Sequence, residues 1–255
     1  MKTELIGKVA LVTGGGRGIG RAIAERLGAA GALVAINYVK DSQSAERAVA
    51  AVEATGGQAF AIQADIGDEN GIGDLFRRLD TGLVQRKLTA ELDILVNNAG
   101  LGTFGDVEAT SVREFDAAFQ TNVRGTFFVS QHAISRLRDE GRVVNISSAS
   151  VRRSEEAIAA YTMSKAAVES LTVMLARHLG PRRITVNAVA PGWVETDINV
   201  EARRDPAIVD RVQHDTAFRR FGRPEDIADV VAFLVSRSGG WVTGQVIEAS
   251  GGYRL

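Results

Sequence analysis

Two hydrophobic periods alternate along the chain. Short runs of β-branched and aliphatic residues at 9–13, 33–37, 58–63, 94–97, 142–146, 185–189 and 245–248 predict strands. Several of these runs are apolar throughout, as strands buried on both faces of a parallel sheet are. Between them, apolar positions recurring every three to four residues predict helices over 18–30, 42–55, 68–86, 111–137, 161–178 and 224–236. Strict alternation of strand and helix predicts an α/β, doubly wound Rossmann fold with a seven-stranded parallel sheet and helices on both faces. No repeat, low-complexity tract or Pro/Ser-rich linker interrupts it, so residues 1–255 are expected to form one domain. The least regular stretch, 192–221, carries charge clusters without a period and is expected to be a long loop acting as a lid.

Composition narrows the function. The 255 residues include 45% hydrophobic and 24% charged residues, enough to bury a core without staples. The net charge of −1 gives no reason to expect a nucleic acid or an anionic membrane as partner. With no cysteine, disulfides, thiolate metal sites and a thiol nucleophile are excluded. No stretch approaches the ~20 apolar residues of a membrane span, and the apolar run at 9–12 is too short for a signal peptide. A cytoplasmic protein is therefore expected. His132, His178 and His214 lack metal-ligand spacing, and no metal site is expected.

The first strand ends in Thr13-Gly14-Gly15-Gly16-Arg17-Gly18-Ile19-Gly20, and a helix begins at once. Gly14 allows a tight turn, Gly18 lets the backbone approach a pyrophosphate, and Gly20 permits close helix–strand packing. The helix N-terminus would then meet phosphates with free N–H groups and a favourable dipole. No Gly-Lys-Ser/Thr follows, which excludes a nucleotide-hydrolase P-loop. An NAD-preferring site would place an acidic residue at the end of the second strand, roughly 20 residues after the glycines. That position is Tyr38, and Arg17, Asn37, Lys40 and Ser42 could offer donors to a 2′-phosphate. NADP(H) is therefore the expected cofactor and NAD(H) the less favoured one, although Asp41 lies close by. Tyr161 and Lys165 are four residues apart, which puts both on one helix face. An ammonium beside a phenol lowers its pKa toward the working range of an acid–base catalyst.

With these motifs the chain resembles the short-chain dehydrogenase/reductase family, and within it the ketoreductases similar to 3-oxoacyl-carrier-protein reductase. The glycine spacing matches, as do Asn97-Asn98-Ala99-Gly100, Asn122, Asn145-Ile-Ser-Ser148, the Tyr161/Lys165 pair and Pro191-Gly192 followed by Thr196. The resemblance implies Tyr161 as general acid in reduction and base in oxidation, with Lys165 tuning it and binding the nicotinamide ribose. Ser148 would hold the substrate oxygen, the choice over Ser147 resting on the family's spacing. Asn122 would hold a water relaying protons to Lys165. Asp65 with Ile66 would cap the adenine, Asn98, Ala99 and Gly100 would line the cofactor groove, and Thr196 with the backbone near Trp193 and Val194 would orient the nicotinamide amide. Two departures stand out: the segment 80–91 is longer than expected, and the tail reads Glu248-Ala-Ser250-Gly-Gly without the usual Asp.

Three functions compete at this point: an NADPH-dependent reductase of 3-oxoacyl or polyketide-like, small-molecule or carrier-bound carbonyls; a sugar or polyol dehydrogenase; and an inactive nucleotide sensor. Arg152-Arg153 is read as a solvated loop, with attraction of an acidic substrate as the alternative. Phe115, Phe119, Phe127 and Phe128, with Leu171, Val173, Met174 and Leu175, do not fit one core-facing stripe, so a homotetramer is expected.

Overall fold

A computed structural model describes residues 4–153 and 155–255. Seven strands form one sheet in the order β3-β2-β1-β4-β5-β6-β7. They are β1 (Val9–Val12), β2 (Leu33–Tyr38), β3 (Gln58–Gln63), β4 (Leu92–Asn97), β5 (Leu137–Ile146), β6 (Thr185–Pro191) and β7 (Val246–Ala249), and every pairing is parallel. The order reverses between β1 and β4, the switch point at which such sheets open a crevice at their carboxyl ends.

The apolar runs divide with a period of two. In β1, Ala10 and Val12 face a core shared with α1 (Gly18–Ala29) and α9 (Pro224–Val235), while Val9 and Leu11 face the opposite one. That second core is built on α3 (Glu69–Gln85), α5 (Thr126–Ile134) and α7 (Ala159–Leu179). The remaining helices are α2 (Ser42–Ala54), α4 (Val112–Ala118), α6 (Ser150–Arg153) and α8 (Pro206–Asp215).

Three local expectations change. The single helix expected over 111–137 is α4, a π-helical stretch Phe119–Gly125, and α5. The strand expected from 142 begins at Leu137, because Leu92 pairs with Leu137 before the register shifts to Ile94 with Arg142. The irregular stretch 192–221 contains α8, capped by Asp205, whose carboxylate accepts the Ala207 N–H, with Pro206 in the first turn. Asp41 caps α2, its carboxylate accepting the Ser44 N–H at 2.9 Å. The long stretch 80–91 is the last turns of α3 and a short connection to β4, tied down by Arg136 on Asp80 within the helix and by Arg138 on Glu91 after it. Among the described residues no helix is long and apolar enough to cross a membrane, and no group of three or more His, Cys, Asp or Glu could hold a metal ion.

Candidate active site

Tyr161 and Lys165 lie on the first two turns of α7, and Ser148 follows β5. The Ser148 hydroxyl stands close enough to the Tyr161 hydroxyl to favour its ionised form. The neighbouring Ser147 is turned away and buried, its hydroxyl donating to Glu169 at 2.7 Å. The two serines thus separate as strand alternation allows but could not assign. Lys165 is buried, and its ammonium donates to the Ile146 carbonyl at 2.8 Å, 5.7 Å from the centre of the Tyr161 ring. Burial pushes Lys165 down to about 8. Burial also pushes the Tyr161 phenol up, and the Ser148 hydroxyl opposes that rise.

Asn122 sits in the π-helical stretch, fully buried. Its side-chain oxygen accepts the Leu101 N–H at 2.7 Å, and its amide donates to the Leu101 carbonyl and to the Ser164 hydroxyl. Ser164 in turn donates to the Tyr161 carbonyl at 2.6 Å. Asn122 therefore clasps the loop after β4 to the helix that carries Tyr161. Gly100, on that loop, is so close to both groups that an added Cβ would lie 3.2 Å from the Lys165 nitrogen and 3.4 Å from the Asn122 oxygen. A widened π turn is a frequent mark of a functional position inside a helix.

The glycine-rich turn stands at the switch point. Gly14 has φ +61° and lies against Ala99, where a Cβ would come within 2.9 Å of the Ala99 Cα. At Gly20 a Cβ would lie 2.3 Å from the Asn98 side-chain nitrogen and 2.4 Å from the Gly14 carbonyl oxygen. Thr13 and Asn98 hold the turn closed: the Thr13 hydroxyl accepts the N–H groups of Asn98 and Ala99, and the Asn98 amide donates to the carbonyls of Thr13 and Gly14. No side chain caps the N-terminus of α1, and no acidic residue occupies its first turn, where Ile19 lies. Such a cradle, with an open helix N-terminus, fits the pyrophosphate of a dinucleotide.

At the end of β2, Tyr38 is partly buried and Asn37 fully so. Asn37 cannot serve as the expected phosphate donor. Its amide is committed to the Ala64 carbonyl at 2.9 Å, and its oxygen accepts the Gly14 N–H. Asp41, the nearby carboxylate, is committed to Ser44, whose hydrogen bonds hold it below the usual range. Arg17 remains exposed at the mouth. Asp65 is exposed and accepts the Gly67 N–H, whereas the Ile66 side chain is buried in the core beside Gly125, leaving only its backbone toward the groove.

The stretch after Pro191 and Gly192 leaves the sheet and returns. Its base is pinned where Val194 bridges Gly222, with the Gly222 N–H on the Trp193 carbonyl. Thr196 begins a short helical turn with Asn199 and faces Gly18, where a Cβ would meet its methyl at 3.4 Å. Arg17 and Asp197 face each other across this junction at 3.7 Å. Arg153 is not the solvated side chain expected of it: it is three-quarters buried and pairs with Glu248 at 3.2 Å. That pairing, and the tail contacts described below, had no period or motif by which to be found.

A family model described as enoyl-(acyl carrier protein) reductase matches residues 14–254. Versicolorin reductase stcU of Emericella nidulans is 40% identical, the alignment covering 98% of this chain and 96% of that one. Tetrahydroxynaphthalene reductase of Pyricularia oryzae is 38% identical over 98% of this chain and 90% of its own. Among solved structures, the angucycline C-6 ketoreductase LanV with bound NADP superposes with a TM-score of 0.95 at 42% identity, covering 99% of this chain and 98% of that one. The glycine cradle, the Ser148–Tyr161 contact and a match over almost the full length agree, and the chain belongs to the short-chain dehydrogenase/reductase family.

Proposed function

We propose that the protein is an NADPH-dependent ketoreductase of aromatic polyketide-like ketones, acting as one domain with the 192–221 segment as its lid. The observation that carries this reading is the pairing of Ser148 and Tyr161 hydroxyls beside a buried lysine, next to a dinucleotide cradle without an acidic residue at the β2 terminus. The relatives' names support the substrate class: versicolorin, tetrahydroxynaphthalene and angucycline ketones are polycyclic and aromatic. Large apolar side chains exposed around the site suit such a ligand, namely Leu101, Phe104, Ile198 and Phe218. Ile198 of the lid lies against Gly102, which places the lid beside the loop that Asn122 holds.

Arg17, Gly14, Gly18, Gly20, Asn98, Ala99, Gly100 and Thr196 are the residues that would hold the dinucleotide. When bound, NADPH supplies the hydride that reduces the carbonyl carbon. Ser148 donates a hydrogen bond to the substrate oxygen and polarises the carbonyl. Tyr161 delivers its proton to that oxygen and becomes a phenolate. Lys165, charged below about pH 8, stabilises the phenolate electrostatically. Asn122 fixes the loop behind Lys165 and would hold a water that relays protons to Lys165. Exposed Phe115, Phe127, Met163, Val173 and Met174 on α4, α5 and α7 support a homotetramer, and the absence of cysteine suits a reducing, cytoplasmic setting.

The test is a panel of tricyclic and tetracyclic aromatic ketones, simple 3-oxoacyl thioesters and sugar alcohols, each with both cofactors, followed by absorbance of the reduced nicotinamide. We expect kcat/KM at least tenfold higher with NADPH than NADH, and highest for the polycyclic ketones. Faster oxidation of a sugar alcohol than reduction of any ketone would overturn the reading.

A further inference from the structure

The C-terminal tail joins the two walls of the pocket. The segment from Ser148 to Tyr161 carries both hydroxyls and is one wall of the proposed substrate site; the lid, under the same proposal, is the other. Glu155 stands in the first wall. It accepts hydrogen bonds from the Tyr253 hydroxyl and from the Arg254 guanidinium, the latter at 2.9 Å. Arg254 also donates to Asp215, the last residue of α8, at 2.9 Å. The Trp193 side chain, at the base of the lid, lies beside the Tyr253 hydroxyl and favours its ionised form. Trp193 itself packs edge-on against Phe221, where the lid returns.

Backbone contacts follow the same line. Thr216 bridges Tyr253 in antiparallel fashion, the Ala217 and Phe218 N–H groups donate to Gly252 and Gly251, and the Arg254 N–H donates to the Asp215 carbonyl. Gly251 and Gly252 have φ of +64° and +77°, so the chain turns there to lay Tyr253 beneath the lid. Upstream, Arg153 donates to Glu248 and to the Tyr253 carbonyl, and the Ser250 hydroxyl donates to Glu248. Tyr253 is 2% exposed. Burial and the Glu155 carboxylate push its phenol up to about 12, so it remains a donor throughout the neutral range.

We infer that Glu155 is a positioning residue for the substrate: through Tyr253 and Arg254 it locks the end of lid helix α8 to the wall that joins Ser148 to Tyr161. The glycine turn meets the lid at Thr196 and Asp197, whose contacts are with Gly18 and Arg17 and not with Glu155 or Arg254, so the lock acts on the substrate side more than on the dinucleotide. Substrate binding depends on the lock, because the ligand needs both walls at a fixed separation. The inference rests on the two hydroxyls receiving the substrate, but not on the identity of the ketone.

The test uses the full chain and the variants Glu155→Gln, Arg254→Ala, their combination, and Arg254→Lys as the conservative replacement. Hydrogen exchange in the ligand-free protein should speed up at least tenfold at Ala217 and Phe218 in the first three, with α1 unchanged. KM for the best ketone should rise fivefold or more while kcat stays within twofold and NADPH affinity by fluorescence titration is unaltered. The combined variant should be no worse than the stronger single one, since both break one junction, and Arg254→Lys should recover part of the KM. Tyr253→Phe, which keeps the ring and removes only the hydroxyl, guards against unfolding of the charge variants and should show the same KM rise in milder form. Unchanged exchange at Ala217 and Phe218 would overturn the lock. So would exchange rising equally in α1, or a KM that stays fixed while only Tm falls. Because exchange is read without substrate, absence of ketone turnover would count against the proposed reaction and leave the lock separately decided.

Discussion

Lys165 is costly to the fold and useful to the chemistry. A shift from the ordinary 10.5 of a lysine to about 8 means the buried charge is disfavoured by about 3 kcal/mol. Below pH 8 the lysine is charged in both folded and unfolded chains, and that penalty is complete. Between 8 and 10.5 the unfolded chain holds the extra proton, so stability rises with pH across this window. Lys165→Met should therefore be at least as stable as the parent at pH 7, and the parent should gain on it between pH 8 and 10.5. Urea unfolding of both proteins at several pH values tests this, and parallel pH dependences would contradict it. The same titration limits the reaction: kcat/KM for reduction should be level below about pH 8 and fall above it, as the ammonium supporting the phenolate is lost. Tyr161→Phe removes the proton that the carbonyl oxygen must receive. Its kcat should drop by roughly three orders of magnitude or more, with NADPH affinity within a few-fold. Near-parental turnover by that folded variant would remove Tyr161 from the mechanism.

At the scale of elements, the junction of β2 and α2 is where we propose that the cofactor is discriminated. Tyr38 and Asp41 are three residues apart, yet only one position is free to discriminate. Asp41 is spent on Ser44 as the cap of α2. Asp41→Ala should lower Tm by a few degrees through the lost cap and leave the NADPH/NADH ratio of kcat/KM unchanged. Tyr38→Asp places a carboxylate at the end of β2, where it repels a 2′-phosphate, and should lower that ratio at least tenfold. Steady-state kinetics with both cofactors separates the two, and a ratio moved by Asp41→Ala instead would assign discrimination to the wrong residue here.

For the whole molecule, the faces of α4, α5 and α7 point outward with too much apolar surface for a solvated exterior. Phe127 is 44% exposed, Val173 53% and Met174 58%, whereas Leu171 on the same helix is buried. A groove beside Phe127 and Met174 is lined by Val123, Ala167, Val168 and Leu171. If such a face is self-complementary it generates a two-fold contact, and two independent ones give dihedral symmetry. Light scattering at micromolar concentration should report a tetramer, and Met174→Asp should split it. A stable, active monomer of the parent protein would refute the assembly.

The alternation of apolar runs and amphipathic stretches was enough to specify the sheet and most of its helices, since burial on both faces of β1, β2 and β4 leaves a continuous apolar signature. Fixed local spacings were equally legible: the glycines of the turn after β1, and Tyr161 with Lys165 one helical turn apart. What depends on contacts between distant segments was not. Asn37 looks like a donor in sequence and is a buried tie between strands, because its neighbours Gly14 and Ala64 lie 23 and 27 residues away. The break around Asn122 has no periodic signal, since a π turn shifts hydrogen bonds without changing which residues are apolar. The helix α8 could have been read from Asp205-Pro206 and was hidden by the charge clusters around it. Arg153, Glu155, Glu248, Tyr253 and Arg254 are ordinary surface letters until the chain returns after about 100 residues to bring them together. Local periodicity and spacing are properties of neighbours in sequence, whereas the joining of tail, lid and catalytic wall is a property of the packed chain alone.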